Sequence, residues 1–176
     1  MKAFLIIDMQ TALVTGAWQE QAVLQHIEQV ASKCRAIGTP VIYIQHNHAT
    51  FEPMMKGRPG WQIHAAIFPH DGDILIEKEA CDAFYGNTLK STLQNMGVDT
   101  LLIAGMQTEY CVDATVRAAL SHDFNVVVLA DCHTTGDAEL SAADIIRHHN
   151  LTFSNLVHPS STIRVVDCHG MNLDTL

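Results

Sequence analysis

Apolar residues fall along this chain in two rhythms. Short unbroken apolar runs alternate with longer stretches in which apolar positions recur every three to four residues. Residues 3–7 form the first run, which stops at Asp8. A run apolar on both faces suits a strand buried in a parallel sheet. Val23, Leu24, Ile27, Val30, Ala31 and Cys34 then recur at helical spacing, predicting a helix over residues 18–37 with Gly38 as its stop. Residues 41–44 read as a second strand, and residues 73–76, leading into Glu77 and Lys78, as a third. A helix capped by Asn87 runs to Met96 and is closed by Gly97. Residues 99–104 read as a fourth strand, 105–110 as a turn and 111–122 as a helix. Residues 125–129 follow as a fifth strand and 137–149 as a helix. Residues 151–157 are expected to supply a sixth strand, while 160–166 fit helix or strand equally. Between the second and third strands, residues 46–71 are long and irregular, punctuated by Pro53, Gly57, Pro59, Gly60 and Pro69. A loop of that length in a compact domain usually carries function.

Alternating strands and helices predict an α/β fold: a single three-layer, doubly wound, Rossmann-like domain over residues 1–176. Its sheet is expected to be mostly parallel and six-stranded, with helices on both faces. In the common doubly wound order the winding reverses between the first and fourth strands, and ligands bind beyond the carboxyl ends there. That topology alone brings Asp8 close to the turn running from Gly105 to Cys111.

Composition narrows the field. The 176 residues carry 19 acids against 10 bases, a formal net charge of -9. This balance argues against nucleic-acid or anionic-membrane partners and leaves a small-molecule substrate. The N-terminal apolar run is too short for a signal peptide, and no run approaches the length of a membrane span. Five cysteines, Cys34, Cys81, Cys111, Cys132 and Cys168, are odd in number, widely spaced and without a zinc-type pair. They read as reduced thiols in a cytoplasmic protein.

Three residues carry the candidate chemistry. Cys111 stands at a strand–turn–helix junction, where helix N-terminal N–H groups lower a thiol's pKa and can hold an oxyanion. A small buried hydrophobe is the plainer reading of a free cysteine, and it suits Cys34, Cys81, Cys132 and Cys168. Asp8 ends a core strand and faces the switch-point crevice, where it can take and return a proton. Its plainer role is a turn or cap. Lys78 ends the third strand on the same edge and can stabilise a thiolate, although alone it reads as a solvated lysine.

Taken together, these residues sit in familiar text. FLIIDMQ around Asp8, EKEACDAFYGNTL around Lys78, GMQTEYCVDATVRAAL around Cys111 and VVVLADCHTT near the fifth strand follow in order across almost the whole chain. They resemble the isochorismatase-like cysteine hydrolase superfamily, which includes nicotinamidases, N-carbamoylsarcosine amidohydrolases and ureidoacrylate-type amidohydrolases. The resemblance implies a triad of Asp8 as base, Lys78 and the nucleophile Cys111. It implies a cis peptide between Met106 and Gln107, and an oxyanion hole from the backbone N–H groups of Gln107 and Cys111. The reaction it implies is hydrolysis of a C–N bond in a small amide, carbamoyl or ureido substrate through a thioester. It also implies a homo-oligomer, a dimer or larger.

Nicotinamidase-like members hold zinc or iron after the second strand. Here that region offers His46, His48 and His64, but no Asp lies between Ile44 and Pro69. A three-histidine zinc or iron site is chemically possible as the lesser alternative, but local hydrogen bonding or pocket lining is the favoured role for these histidines, and no cofactor is expected. Trp18, His46, Trp61, Phe84, Tyr85 and Tyr110 are candidate pocket residues, with core packing as their alternative. Glu109 can meet a polar substrate group or favour the helix start. Three rivals remain. A vinyl-ether hydrolase on the same scaffold does not need Cys111, a thiol sensor lacks a resolving cysteine nearby in sequence, and a binding module leaves the triad without purpose. No GxGxxG follows the first strand, so a dinucleotide site is excluded.

Overall fold

A computed structural model describes residues 1–169 and 171. Six strands form one all-parallel sheet in the order β3-β2-β1-β4-β5-β6. They are β1 (Lys2–Ile7), β2 (Val41–His46), β3 (Ile74–Lys78), β4 (Thr100–Met106), β5 (Asn125–Thr134) and β6 (Ile163–Val166). The helices are α1 (Thr11–Val14), α2 (Glu20–Ala36), α3 (Leu89–Asn95), α4 (Asp113–Ser121) and α5 (Ala142–Ser154). The winding reverses between β1 and β4, where the pattern of runs placed it.

The central strand shows why its run is unbroken. Phe4 and Ile6 pack into a cluster with Val23, Ile27 and Val30 of α2. Ala3, Leu5 and Ile7 pack the opposite way, with Leu89 and Leu93 of α3, Val116 and Ala119 of α4 and Phe153 of α5. Both faces of β1 are thus buried, and a polar residue at any of these positions would lose water without a partner.

Two expectations change. Residues 151–157 are not a strand: α5 continues to Ser154, and the sixth strand is β6. Phe153 explains the extension, since it falls on the buried helical face of Ala142 and Ile145. Ser141 starts that helix, its hydroxyl accepting from the N–H of Asp144 at 3.1 Å. The helix expected from Cys111 instead begins with a π-helical turn, Thr108–Val112, and α4 follows it. π-turns are rare and concentrate at functional sites.

Strand β5 runs longer than its apolar core because it bulges. Ile103 pairs with Val128 but Gly105 pairs with His133, so two steps along β4 answer to five along β5. Gly105 itself holds a positive φ of 127°. A Cβ there would overlap the Ile7 backbone. Only glycine lets β1 and β4 approach at the reversal point. Gly105→Ala is therefore expected to lower stability by roughly 2 kcal/mol or more in urea unfolding. Wild-type stability in that variant would show that the close approach is not required.

Candidate active site

Four strand ends build the site. Asp8 follows β1, His46 closes β2, Lys78 closes β3, and Gln107 and Cys111 lie in the turn after β4. The register sets Ile7 beside both Ile44 and Gly105, and His46 beside Lys78. The strand edge thus brings together groups as far apart in sequence as Asp8 and Cys111.

Lys78 is the hub. Its Nζ lies 2.7 Å from Asp8 Oδ2 and 3.2 Å from Cys111 Sγ. It also lies 3.1 Å from His46 Nδ1 and 2.8 Å from the Ala80 carbonyl. The side chains of Asp8 and Lys78 are both fully buried. The Asp8 contact is ionic rather than an aligned hydrogen bond, and Oδ1 of Asp8 has no hydrogen-bond partner among the described residues. A carboxylate oxygen so placed, at a cavity wall, is free to take a proton.

The electrostatics follow from burial. Desolvation lifts the Asp8 carboxyl above its ordinary range, against the pull of Lys78. Desolvation pulls Lys78 down, but Asp8 and Cys111 outweigh it and hold the ammonium charged. Burial and then the Asp8 carboxylate push the Cys111 thiol up, with Lys78 opposing. The lowered thiol pKa expected from a helix N-terminus is thus not the resting state. Cys111 rests as a thiol beside an ion pair, because burial penalises a second anion. His46 is pulled down to about 4 by burial, then by Lys78 and His48, so it is neutral and accepts from Lys78 through Nδ1.

Above these groups opens a cavity of about 480 Å³. Asp8, Gln107 and Cys111 reach it from the sheet edge, and Leu13, Phe51 and Met54 form an apolar wall. His46, His48, Tyr110 and the Glu79–Cys81 segment complete the lining. The peptide bond between Met106 and Gln107 is cis.

Of the six aromatic and histidine positions proposed for the pocket, His46 and Tyr110 line this cavity and four do not. Phe84 is buried under α4, stacked on Phe124 and against His122. Tyr85 is exposed over a separate groove with Asn47 and Glu77. Trp18 is held by its backbone to Thr134 and Thr135, with its ring half-exposed. Trp61 anchors the loop: its Nε1 donates to Asn47, and its carbonyl accepts from Gln10 and Gln45. Phe51 and Met54 take the lining role instead. A short 3-10 turn, Glu52–Met54, folds Met54 inward, and no periodic pattern announces such a turn. Glu109 meets Thr135, whose hydroxyl donates to it at 2.9 Å. Cys81, read as a buried hydrophobe, is exposed at the cavity rim.

The three-histidine metal set is not assembled. His64 accepts from the Ala66 N–H and lines a groove beside α2, apart from His46 and His48. Asp8, His46 and Cys111 do present ligand atoms within 4.8 Å of one another. The Lys78 ammonium already stands against all three, so a divalent ion there would meet a fixed positive charge. The residues present do not fit the nicotinamidase-type metal.

An isochorismatase domain model matches residues 2–156. The chain belongs to the isochorismatase family. This family member is 31% identical over 140 residues to streptothricin hydrolase of Streptomyces noursei, covering 78% of this chain and 51% of that protein. It therefore spans about half the length of that relative. It is 28% identical to a ureidoacrylate amidohydrolase of Methylobacterium radiotolerans, covering 79% of this chain and 69% of that one. A solved isochorismatase family protein superposes with a TM-score of 0.82 at 30% identity, covering 92% of this chain and 96% of the other.

Behind the site, His133 is fully buried and satisfied on both ring nitrogens. Thr108 lies 2.9 Å from Nδ1 and Asn150 Oδ1 lies 2.8 Å from Nε2. It thereby ties the Cys111 turn to β5 and α5. Burial lowers its pKa from 6.5 to about 4. The unfolded chain binds a proton below pH 6.5 that the folded chain refuses until about pH 4, so stability falls as pH drops through that window. His133 alone should contribute a loss on the order of 3 kcal/mol between pH 7 and 4, and His46 adds to it with the same sign. In urea unfolding at stepped pH, His133→Asn should flatten this slope. An unchanged slope would mean that the imidazole is not held neutral.

Proposed function

We propose that this chain is a cysteine hydrolase that opens a C–N bond in a small amide, carbamoyl or ureido compound, through a thioester at Cys111. The observation that carries the reading is the Lys78 ammonium placed between the Asp8 carboxylate and the Cys111 sulfur, two groups that line the cavity. A cavity of about 480 Å³ with an apolar wall suits a small, uncharged reacting group.

The cycle balances with these groups alone. As Cys111 Sγ attacks the carbonyl carbon, its proton passes to Asp8, and the new oxyanion is held by the N–H groups of Gln107 and Cys111. Lys78 keeps the sulfur and the carboxylate in place and stabilises charge as it moves between them. The C–N bond breaks as the leaving nitrogen takes the proton from Asp8, and a thioester remains. Water then adds to the thioester, giving a proton to Asp8. The C–S bond breaks, the acid departs, and Cys111 regains its proton. The thiol is neutral at rest, so activation waits for the substrate, and the sulfur is a poor target for stray electrophiles beforehand.

The five cysteines, none of them in a disulfide, suit a reducing compartment such as the cytoplasm. Among the described residues no helix is long and apolar enough to cross a membrane. A homo-oligomer belongs to the same reading and is tested by light scattering.

A panel of primary amides, N-carbamoyl amines and ureido acids, followed by ammonia or amine release, tests the reaction. Cys111→Ala should lose turnover by about 10³-fold or more while keeping its circular dichroism. Asp8→Asn should lose about 10²-fold to 10⁴-fold. Removing the carboxylate should also shift the pH midpoint for iodoacetamide labelling of Cys111 downward, since Asp8 is what raises that thiol after burial. An active Cys111→Ala variant, or an Asp8→Asn midpoint above wild type, would overturn the reading.

A further inference from the structure

A second cluster of reactive side chains lies outside the catalytic cavity. His26 projects from α2, Asp131 and Cys132 stand on the β5 bulge, and Cys168 follows β6. Each offers one ligand atom, and these atoms all lie within 4.8 Å of one another. None of the four lines the Cys111 cavity.

We propose that His26, Asp131, Cys132 and Cys168 form a structural zinc site that staples α2, the β5 bulge and the chain after β6.

The spacing suits a tetrahedral ion. Zinc bonds of about 2.0 Å to nitrogen or oxygen and 2.3 Å to sulfur place neighbouring ligands about 3.3–3.8 Å apart. Here the His26 Nδ1 to Asp131 Oδ2 distance is 3.4 Å, Cys168 Sγ to Asp131 Oδ2 is 3.1 Å and Cys132 Sγ to Asp131 Oδ1 is 3.7 Å. The remaining separations all lie within 4.8 Å, and side-chain rotation within the cluster closes that shell. The donors, two sulfurs, an imidazole and a carboxylate, are a set that zinc favours over calcium or magnesium.

The charge also calls for a cation. Among the described residues Asp131 is paired only with the imidazoles of His26 and His169, which are positive only when protonated. The Cys168 backbone N–H also donates to Asp131 Oδ1 at 2.8 Å. Cys132 and Cys168 are almost fully buried. Zinc binding would release both thiol protons and replace them with one divalent charge. His169, 3.3 Å from Asp131 Oδ2, would stand outside the shell and orient that carboxylate. With four protein ligands and no open position, the ion would serve the fold rather than the chemistry.

Untagged protein prepared without chelator, analysed by plasma mass spectrometry, should hold about one zinc per chain. The Cys111→Ser protein should keep that zinc, and the Cys132→Ser, Cys168→Ser double variant should lose it. Should the double variant fail to fold, cobalt(II) titrated into metal-stripped wild-type protein supplies a second measurement. It should raise a thiolate-to-cobalt charge-transfer band in the near ultraviolet, and the Cys111→Ser protein should give the same band. Three results would overturn the proposal: no zinc after saturation and gel filtration, metal that departs with Cys111→Ser or His46→Ala but stays in the double variant, or a Cys132–Cys168 disulfide in metal-free protein. Each is independent of whether a C–N bond is hydrolysed.

Discussion

The buried ion pair between Asp8 and Lys78 is the constraint on which the rest of the site depends. Two opposite charges out of water are tolerable only when each neutralises the other at close range, and leaving either alone costs about 3–5 kcal/mol. The 2.7 Å contact satisfies that condition, but only if β1 and β3 end at one height with β2 between them. The sheet register secures this, and the Gly105 backbone brings β4 close enough to deliver the Cys111 turn to the same ammonium. The geometry of the site and the strand order are therefore one requirement.

The same burial shapes the chemistry. A site holding one ammonium and one carboxylate is neutral overall, and a resting thiolate would add an uncompensated anion. The thiol is therefore protonated at rest, His46 is neutral, and the Asp8 oxygen without a partner is the place to which a proton can go. Each of these states follows from the penalty on unpaired charge in a low-dielectric wall.

The bulge in β5 serves both ends of the molecule. It carries His133 inward to hold Thr108, and with it the π-helical turn that presents Cys111. It carries Asp131 and Cys132 toward α2, where His26 and Cys168 converge. A regular strand would place successive side chains on alternating faces of one plane and would serve neither purpose.

Local pattern determined much of this protein. The apolar runs of β1 and β4, the helical spacing of α2 and the residues at the strand ends were enough for the α/β class, the reversal beside β1 and the candidacy of Asp8, Lys78 and Cys111. These features are legible because burial of a strand or helix face imposes a short-range period. Tertiary structure alone decided the rest. The α5 face reached Phe153 because of what it packs against, and Met54 rather than Trp61 entered the cavity because the long loop has no period to read. The sign of the Cys111 shift came from burial beside Asp8, not from its helix position. Cys132 and Cys168, far apart in sequence, met because a bulge and a strand end share one edge, and no residue-by-residue pattern encodes a distance between two such segments.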